Sequence, residues 1–223
     1  MNYLSFGAGV NSTALMLMLL DQGLDFEAIY VDPGTEYPET YDYLHYLESL
    51  GYKFTWIKPW VEGENNLYDY LIKWKILPSV FVRCCTAKFK TGPFYDYIEK
   101  PAKVYIGYDF GEATRRHVKK IDNVAYEFPL VDNGITREIC KNIIKEHGLK
   151  VPRKSGCWLC PFQGLKGFMQ LRNKYPALYQ MAMYLEEINP RDFTILKNKP
   201  LSQYWQDNTL LNYVHFNGGS TEK

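Results

Sequence analysis

The chain has 223 residues and a net charge of +1, with 46% hydrophobic and 23% charged residues. These values are typical of a globular α/β chain and exclude a fibrous repeat or a disordered polypeptide. A net charge so close to zero also excludes a global attraction to nucleic acid, so such binding would need a local basic surface.

The sequence shows neither a membrane segment nor an export signal. Its longest apolar run, Ala14 to Leu20, is far shorter than the roughly 20 residues that cross a membrane. Residues 2–6 run directly into glycines, without the basic and apolar regions of a secretory leader. We therefore expect a cytoplasmic location.

Strand and helix patterns alternate along the chain, with glycine or proline at their boundaries. The predicted strands are Tyr3–Phe6, Phe26–Asp32, Lys53–Ile57 and Val104–Gly107, and the predicted helices are Ser12–Leu20, Pro38–Leu50, Thr136–His147 and Ala177–Ile188. This order predicts a doubly wound, mostly parallel sheet that binds its ligand at the carboxyl ends of the strands. We expect an α/β nucleotide-binding domain over residues 1–150, a helical subdomain over 151–217 and a flexible tail over 218–223.

The first predicted strand leads into a glycine-containing loop, which reads Ser5-Phe6-Gly7-Ala8-Gly9-Val10-Asn11-Ser12-Thr13. The backbone N–H groups of such a loop, with the N-terminus of the following helix, can hold a phosphate or a sulfate. The Walker A pattern is excluded because no Lys follows the second glycine, and G-x-G-x-x-G is excluded because Ser12 stands at the third glycine. The alternative is that Asn11 or Ser12 only caps the helix.

An acidic residue ends the second predicted strand, in the segment Asp32-Pro33-Gly34-Thr35-Glu36-Tyr37-Pro38-Glu39-Thr40. A carboxylate there can bond a ribose or an amino group, or help to hold a metal such as Mg²⁺. Together with the first loop, this segment resembles the PP-loop superfamily of adenine nucleotide α-hydrolases, and most closely its phosphoadenosine-phosphosulfate (PAPS) reductase branch. The matching positions are Ser5, Phe6, Gly9, Ser12, Asp32, Gly34, Pro38, Glu39 and Thr40.

The loop departs from the family pattern Ser-Phe-Ser-Gly-Gly-Lys-Asp-Ser at four positions. Gly7 stands for a Ser, Ala8 for a Gly, Val10 for a Lys and Asn11 for an Asp. A neutral Asn11 can still donate to an anionic ligand. The resemblance implies that ATP or a sulfonucleotide binds at Ser5, Phe6, Gly7, Gly9, Asn11, Ser12, Thr13, Asp32 and Gly34.

Four cysteines form two pairs, Cys84-Cys85 and Cys157-x-x-Cys160. Four soft ligands suit zinc or an iron–sulfur cluster. Adjacent cysteines usually point in different directions, which is awkward around one zinc ion and favours a [4Fe-4S] cluster. The same pairs resemble the cluster pattern of the iron–sulfur sulfonucleotide reductases. The alternatives are a structural zinc and reduced core thiols, and for Cys140, on the apolar face of a helix, we predict core packing.

Charged residues in two further segments match the same branch. Lys90 lies in Cys85-Thr86-x-x-Phe89-Lys90-x-x-Pro93, while Glu112 and Arg115 match a Gly-Ile-Arg-x-x-Glu-x-x-Arg segment in which Tyr108 or Asp109 replaces the first Arg. The resemblance implies catalytic roles for Lys90, Glu112 and Arg115, whose charges can stabilise an α-phosphate or a sulfonate. The alternative is a solvated helix start.

Arg153, Lys154 and Trp158 form a short basic and aromatic stretch close to the second cysteine pair. Such a stretch is suited to an RNA or DNA contact. The alternative is an ordinary wet surface.

The resemblance implies cleavage of bound ATP between its α- and β-phosphates, which activates an acceptor as an adenylate that sulfur then attacks. The expected partners are an adenine nucleotide, an RNA or DNA acceptor, and a sulfur donor or thiol-redox protein. One alternative is sulfonucleotide reduction, which would need Cys140 or an external thiol because no cysteine follows Cys160. Another is a non-catalytic nucleotide or nucleic-acid module, which Val10 and Asn11 favour.

Overall fold

The computed structural model describes residues 1–81, 83–118, 120–191, 193–196 and 199–206. The chain divides into two compact units. The first comprises Met1–Asn66 and Thr86–Cys157, and the second comprises Leu67–Cys85 and Trp158–Lys223. The tail predicted over residues 218–223 lies outside the described residues.

The first unit is built on a five-stranded sheet, counted over the described residues, with the order β3-β2-β1-β4-β5. The strands are β1 (Asn2–Ser5), β2 (Glu27–Val31), β3 (Thr55–Ile57), β4 (Ala102–Ile106) and β5 (Val124–Glu127). Every pair of neighbours is parallel. The α/β class and the four predicted strands are confirmed within a few residues, whereas β5 was not predicted.

The two faces of the sheet are covered by different helices of the first unit, because alternate strand residues point to opposite faces. Leu4 packs with residues of α1 (Val10–Asp21), α2 (Pro38–Ser49) and α7 (Arg137–Glu146). Its neighbour Tyr3 packs instead with Phe94 of α5 (Gly92–Tyr97). A parallel sheet needs cover on both sides, which explains why its strands are so apolar.

The ends of these helices follow local sequence signals. Pro38 opens α2 at its first turn, where the missing N–H costs nothing. Thr136 caps α7, since its side chain accepts a hydrogen bond from the N–H of Ile139. The other short helical elements of this unit are a π-helical turn (Ala87–Thr91), a 3₁₀ helix (Phe110–Arg116) and α6 (Pro129–Asp132), while α4 (Cys84–Thr86) begins in the second unit.

The second unit is helical in its described part. Its elements are α3 (Leu67–Trp74), a 3₁₀ turn (Pro161–Gln163), α8 (Gly164–Lys174), α9 (Pro176–Glu187) and α10 (Leu201–Gln206). The hydroxyl of Tyr179 donates to the carbonyl of Leu201 at 2.9 Å, which ties α9 to α10. No helix in the described part of the chain is both long enough and apolar enough to span a membrane.

The strand order reverses at β1, which has β2 on one side and β4 on the other. In doubly wound sheets, the carboxyl edge at such a reversal is where ligands generally bind. Gly107, directly after β4, lies against the first turn of α1. A Cβ on Gly107 would be 3.0 Å from both the nitrogen and the Cα of Ser12. Only a glycine lets the two backbones approach so closely.

We predict that Gly107→Ala lowers the free energy of unfolding by about 1–3 kcal/mol, because the added methyl group must displace backbone atoms. Gly156→Ala is the matched control, since a Cβ there meets nothing within 4 Å. Denaturant unfolding of the two variants measures the difference. An equal effect of both substitutions would contradict the close approach at Gly107.

Candidate nucleotide site

The first loop connects β1 to α1 and turns sharply at Ala8. Ala8 has φ +51°, in the left-handed region that favours glycine. The Ser12 hydroxyl lies within the turn, where its Oγ accepts hydrogen bonds from the N–H groups of Gly7 and Gly9, both at 3.2 Å. Gly9 is the N-cap of α1, so this hydroxyl lies at the positive end of the helix dipole. The Ser12 hydroxyl in turn donates to the Gly9 carbonyl at 3.2 Å. Two backbone donors thus converge at a point that an oxygen of a tetrahedral anion could occupy.

Two carboxylates reach the first turn of α1 from the residues after β4. Asn11 Nδ2 donates to Asp109 Oδ2 at 2.9 Å and to Glu112 Oε2 at 3.1 Å. Asn11 and Asp109 are only 7% and 6% exposed. Asn11 Oδ1 is buried without a hydrogen-bond partner among the described residues. We call Asn11, Asp109 and Glu112 the acidic cluster. The Arg115 guanidinium pairs with Glu112 of this cluster and lies 4.5 Å from the ring centroid of Tyr108.

Asp32, the predicted ligand at the end of β2, is nearly buried and held by its own turn. Its Oδ1 accepts from the N–H of Gly34 at 2.9 Å and from the hydroxyl of Tyr41 at 2.7 Å. Burial raises the pKa of Tyr41, and the hydrogen bond to Asp32 raises that pKa further. Burial also raises the pKa of Tyr30, with help from the carboxylates of Glu36 and Asp32. Both hydroxyls therefore stay protonated. The Tyr41 hydroxyl donates to Asp32, whereas the buried Tyr30 hydroxyl has no hydrogen-bond partner among the described residues.

Lys90 forms an ion pair next to this turn. Its Nζ lies 2.6 Å from Glu36 Oε1, and the two side chains are 44% and 4% exposed respectively. A buried carboxylate requires a cationic partner, so Lys90 compensates the charge of Glu36 in the protein as it stands. Lys90 belongs to the π-helical turn Ala87–Thr91, a kind of element that is frequent at functional sites.

A stretch of extended chain, residues 153–157, runs beside residues 35–39 after β2. The backbone contacts are an antiparallel bridge between Glu36 and Cys157 and a hydrogen bond from the Tyr37 N–H to the Gly156 carbonyl at 3.1 Å. Cys157 Sγ also lies 3.1 Å from Thr35 Oγ1. Arg153 forms an ion pair with Glu39, and its guanidinium lies 5.8 Å from the Tyr37 ring centroid. We call residues 153–157 the flanking segment. Both backbone and side-chain contacts hold the flanking segment beside residues 35–39.

The four cysteines predicted to bind a metal are divided between the units. Cys84, Cys85 and Cys160 belong to the second unit, and Cys157 is the last residue of the first. Across the described ranges, no three His, Cys, Asp or Glu side chains come close enough to hold one metal ion. The iron–sulfur cluster and the structural zinc therefore remain predictions.

Within the second unit, one contact relates two of the cysteine-bearing segments. The guanidinium of Arg83 lies 5.5 Å from the ring centroid of Phe162. Arg83 precedes the tandem cysteines directly, and Phe162 follows Cys160 by two residues. The two segments are therefore neighbours in this unit.

Three residues singled out from the sequence lie in the core. Phe6 is 3% exposed and packs on Phe54, with ring centroids 5.3 Å apart. Cys140 is fully buried, as predicted, and burial raises the pKa of its thiol to about 11. Trp158 is 3% exposed and packs near Tyr68, so its ring face is not available for stacking on a base.

The residues predicted to bind the nucleotide or to act in catalysis fall into three groups at the carboxyl edge of the sheet. The first contains Gly7, Gly9, Asn11, Ser12, Glu112 and Arg115, the second Asp32 and Gly34, and the third Lys90. Ser5 is exposed at the end of β1, whereas Thr13 is fully buried in α1.

Sequence reasoning missed Asp109, Glu36 and Tyr41 as members of these groups. Asp109 stands directly after a predicted strand, and an inspection of the acids behind every strand would have found it. No sequence signal identifies Glu36 or Tyr41, because their roles depend on burial next to Lys90 and Asp32.

Comparison with known proteins gives little further information. No family model matches the chain. The chain is similar to the uncharacterized protein MJ0973 of Methanocaldococcus jannaschii, with 25% identity over 192 residues. The match covers 78% of this chain and 45% of that protein, so the chain spans less than half the length of its relative. The name of the relative gives no activity.

We predict that Asn11→Asp destabilises the protein near neutral pH by at least about 2 kcal/mol, because two hydrogen bonds to charged groups are lost. The new carboxylate also faces Asp109 and Glu112. The two neighbouring charges raise the folded-state pKa of the introduced carboxyl group, so the penalty is present at about pH 7 and shrinks towards about pH 5. Denaturant unfolding at both pH values measures it.

Asn11→Ala is the matched control for this prediction. It removes the same two hydrogen bonds without adding a charge, so its destabilisation should change much less between the two pH values. If Asn11→Asp unfolds like the wild type near neutral pH, the acidic cluster described above is wrong.

Proposed function

We propose that this chain is an enzyme that binds ATP or a related adenine nucleotide and cleaves it at the α-phosphate. Cleavage would activate an acceptor for sulfur transfer, on a fold of the PP-loop type with a C-terminal helical subdomain. The sequence resemblance supplies the reaction class. The proposed binding site is supported by one observation. The first loop contacts the acidic cluster at the point where the strand order reverses.

The phosphate chain would lie at the turn formed by Gly7, Gly9 and Ser12. In the protein alone, the two N–H groups are satisfied by Ser12 Oγ. A phosphate oxygen can replace this neutral acceptor, and the resulting hydrogen bonds are stronger because the acceptor is charged. The dipole of α1 favours the same negative charge.

Lys90 and Arg115 would oppose the charge that develops on the α-phosphate. Each is already paired with a carboxylate, Lys90 with Glu36 and Arg115 with Glu112. These pairs hold the cations in place before the nucleotide arrives. Preorganised cations stabilise a transition state more effectively than mobile ones, because they need no rearrangement during the reaction.

Asp109 and Glu112 are the residues that would hold Mg²⁺ with the nucleotide. Mg²⁺ is usually bound by one or two carboxylates together with substrate phosphates, which two acids sharing one amide satisfy. Bound Mg²⁺ would neutralise charge on the phosphate oxygens. Asn11 holds the two acids together, and its buried Oδ1 is an oxygen without a partner among the described residues.

The chemistry is a displacement at phosphorus followed by a second displacement at the acceptor. An oxygen of the acceptor attacks the α-phosphorus, the bond between this phosphorus and the bridging oxygen breaks, and pyrophosphate leaves with the electron pair. A sulfur nucleophile then attacks the activated carbon, and AMP leaves. The residues of this chain bind and orient the triphosphate in the first of these steps.

Sulfonucleotide reduction is the second candidate, and the structure limits how it could proceed. Its first step requires a thiolate that attacks the sulfur of an adenylyl sulfate. Cys140 is unsuited to this role because it is fully buried and its pKa is raised to about 11. Reduction would therefore depend on an external thiol.

We predict that the protein releases pyrophosphate from Mg²⁺-ATP in the presence of its acceptor, and that Glu112→Gln lowers this rate by about 100-fold or more. Glu138→Gln is the matched control, because Glu138 is 76% exposed on α7 and pairs with Lys141. A coupled pyrophosphate assay with mixed cellular RNA or DNA as acceptor measures the rates.

Three results would contradict the proposal in different ways. ATP binding without pyrophosphate release favours a non-catalytic module. Sulfite formed from adenylyl sulfate with an added thiol favours reduction. Equal rates for Glu112→Gln and Glu138→Gln remove Glu112 from the site.

We further propose that Cys84, Cys85, Cys157 and Cys160 hold a [4Fe-4S] cluster. The expected result is iron and labile sulfide in anaerobically prepared protein, with a broad visible absorbance, both lost in Cys85→Ser and retained in Cys140→Ser. Stoichiometric zinc without iron or sulfide would replace the cluster by the structural zinc alternative.

A further inference from the structure

Gly9 has no room for a side chain because Ser155 of the flanking segment occupies the space. A Cβ on Gly9 would lie 2.7 Å from Ser155 Oγ and 3.8 Å from Ser155 Cβ. The backbone of Gly9 has φ −96° and ψ 173°, an extended conformation that any residue adopts. A side chain at position 9 would therefore force the hydroxyl of Ser155 to move, although the backbone torsions would accept it.

The backbone around Ser155 is anchored, whereas the Ser155 hydroxyl makes no hydrogen bond within the described residues. Ser155 is half-buried. The residues around it are anchored beside residues 35–39, through the Gly156 carbonyl, the bridge at Cys157 and the ion pair of Arg153. A donor is thus held against the first loop without serving the protein's own hydrogen bonding.

We infer that Ser155 is a further ligand-binding residue of the nucleotide site, and that its hydroxyl donates to a phosphate or sulfate group held by the first loop. This inference rests on the proposed function. The N–H groups of Gly7 and Gly9 converge on Ser12 Oγ, and the Ser155 hydroxyl lies beside Gly9. A tetrahedral oxyanion accepts hydrogen bonds from several directions, so backbone donors and a hydroxyl can bind it at once.

The inferred contact supplements a loop that lacks a cation of its own. Val10 stands at the position where the resembling family has a Lys, and it is buried. Lys90, Arg115 and Arg153 each pair with a carboxylate. Hydrogen bonds from hydroxyl and backbone groups therefore carry more of the anion recognition at this turn than they would beside an unpaired lysine.

The position of Ser155 is tested by combining two substitutions. Gly9→Ala should lower the unfolding temperature, since its methyl group collides with the hydroxyl. Ser155→Ala alone should leave this temperature close to that of the wild type. In the double variant Gly9→Ala with Ser155→Ala, the collision is removed, and the unfolding temperature should return to that of Ser155→Ala. Additive effects of the two substitutions would overturn the contact.

The binding role is tested by titration calorimetry with Mg²⁺-ATP and, separately, with adenylyl sulfate. We predict that Ser155→Ala weakens binding by about 10-fold, as expected for the loss of one hydrogen bond to a charged group. Weakening for both compounds assigns the contact to the shared oxyanion chemistry, and weakening for one identifies the phosphate or the sulfate as its source. Ser49→Ala, which removes an exposed hydroxyl at the end of α2, should bind like the wild type.

The two possible failures are distinguishable. If the wild type binds ATP or adenylyl sulfate and Ser155→Ala binds with equal affinity, the inference is wrong while the proposed function stands. If the wild type binds neither compound, the proposed function is wrong and the inference falls with it.

Discussion

The close approach of Gly107 to the first turn of α1 is the constraint on which the candidate site depends. It brings the residues after β4 against the helix that follows β1, with no space for even one methyl group between the backbones. Asp109 and Glu112 reach Asn11 only because of this contact. Two strands that are neighbours in the sheet and distant in sequence thus supply one polar site.

Three cations at the carboxyl edge of the sheet each pair with an acid. The pairs are Lys90–Glu36, Arg115–Glu112 and Arg153–Glu39, and their cations come from three different segments of the chain. Burying an isolated charge costs much free energy, and the paired cation offsets part of this cost for each carboxylate. A divalent cation would offset part of the negative charge that a polyanionic ligand brings to such an edge.

The sequence predicts the architecture better than the site. Alternating strands and helices place β1 to β4 within a few residues, because apolar periodicity and glycine or proline boundaries are local signals. The short strand β5 was not predicted, because Val124–Glu127 is neither long nor strongly apolar. At the site, Asn11 and Asp109 read as two separate departures from the family pattern, and only the fold makes them one contact. The left-handed Ala8 and the buried Glu36 are likewise invisible before the backbone is known.

The long separation between β1 and β4 has a consequence for the order in which the site is assembled. Asn2 pairs with Lys103 and Ser5 with Ile106, so β1, β2 and β3 are all synthesised before β1 can gain its second neighbour. Until β4 emerges from the ribosome, one edge of β1 has no partner strand, and such edges invite wrong partners. Because Asp109 and Glu112 follow β4, a nascent chain that stops earlier has the first loop but not the carboxylates that Asn11 binds. The contact between the first loop and the acidic cluster can therefore form only late in synthesis.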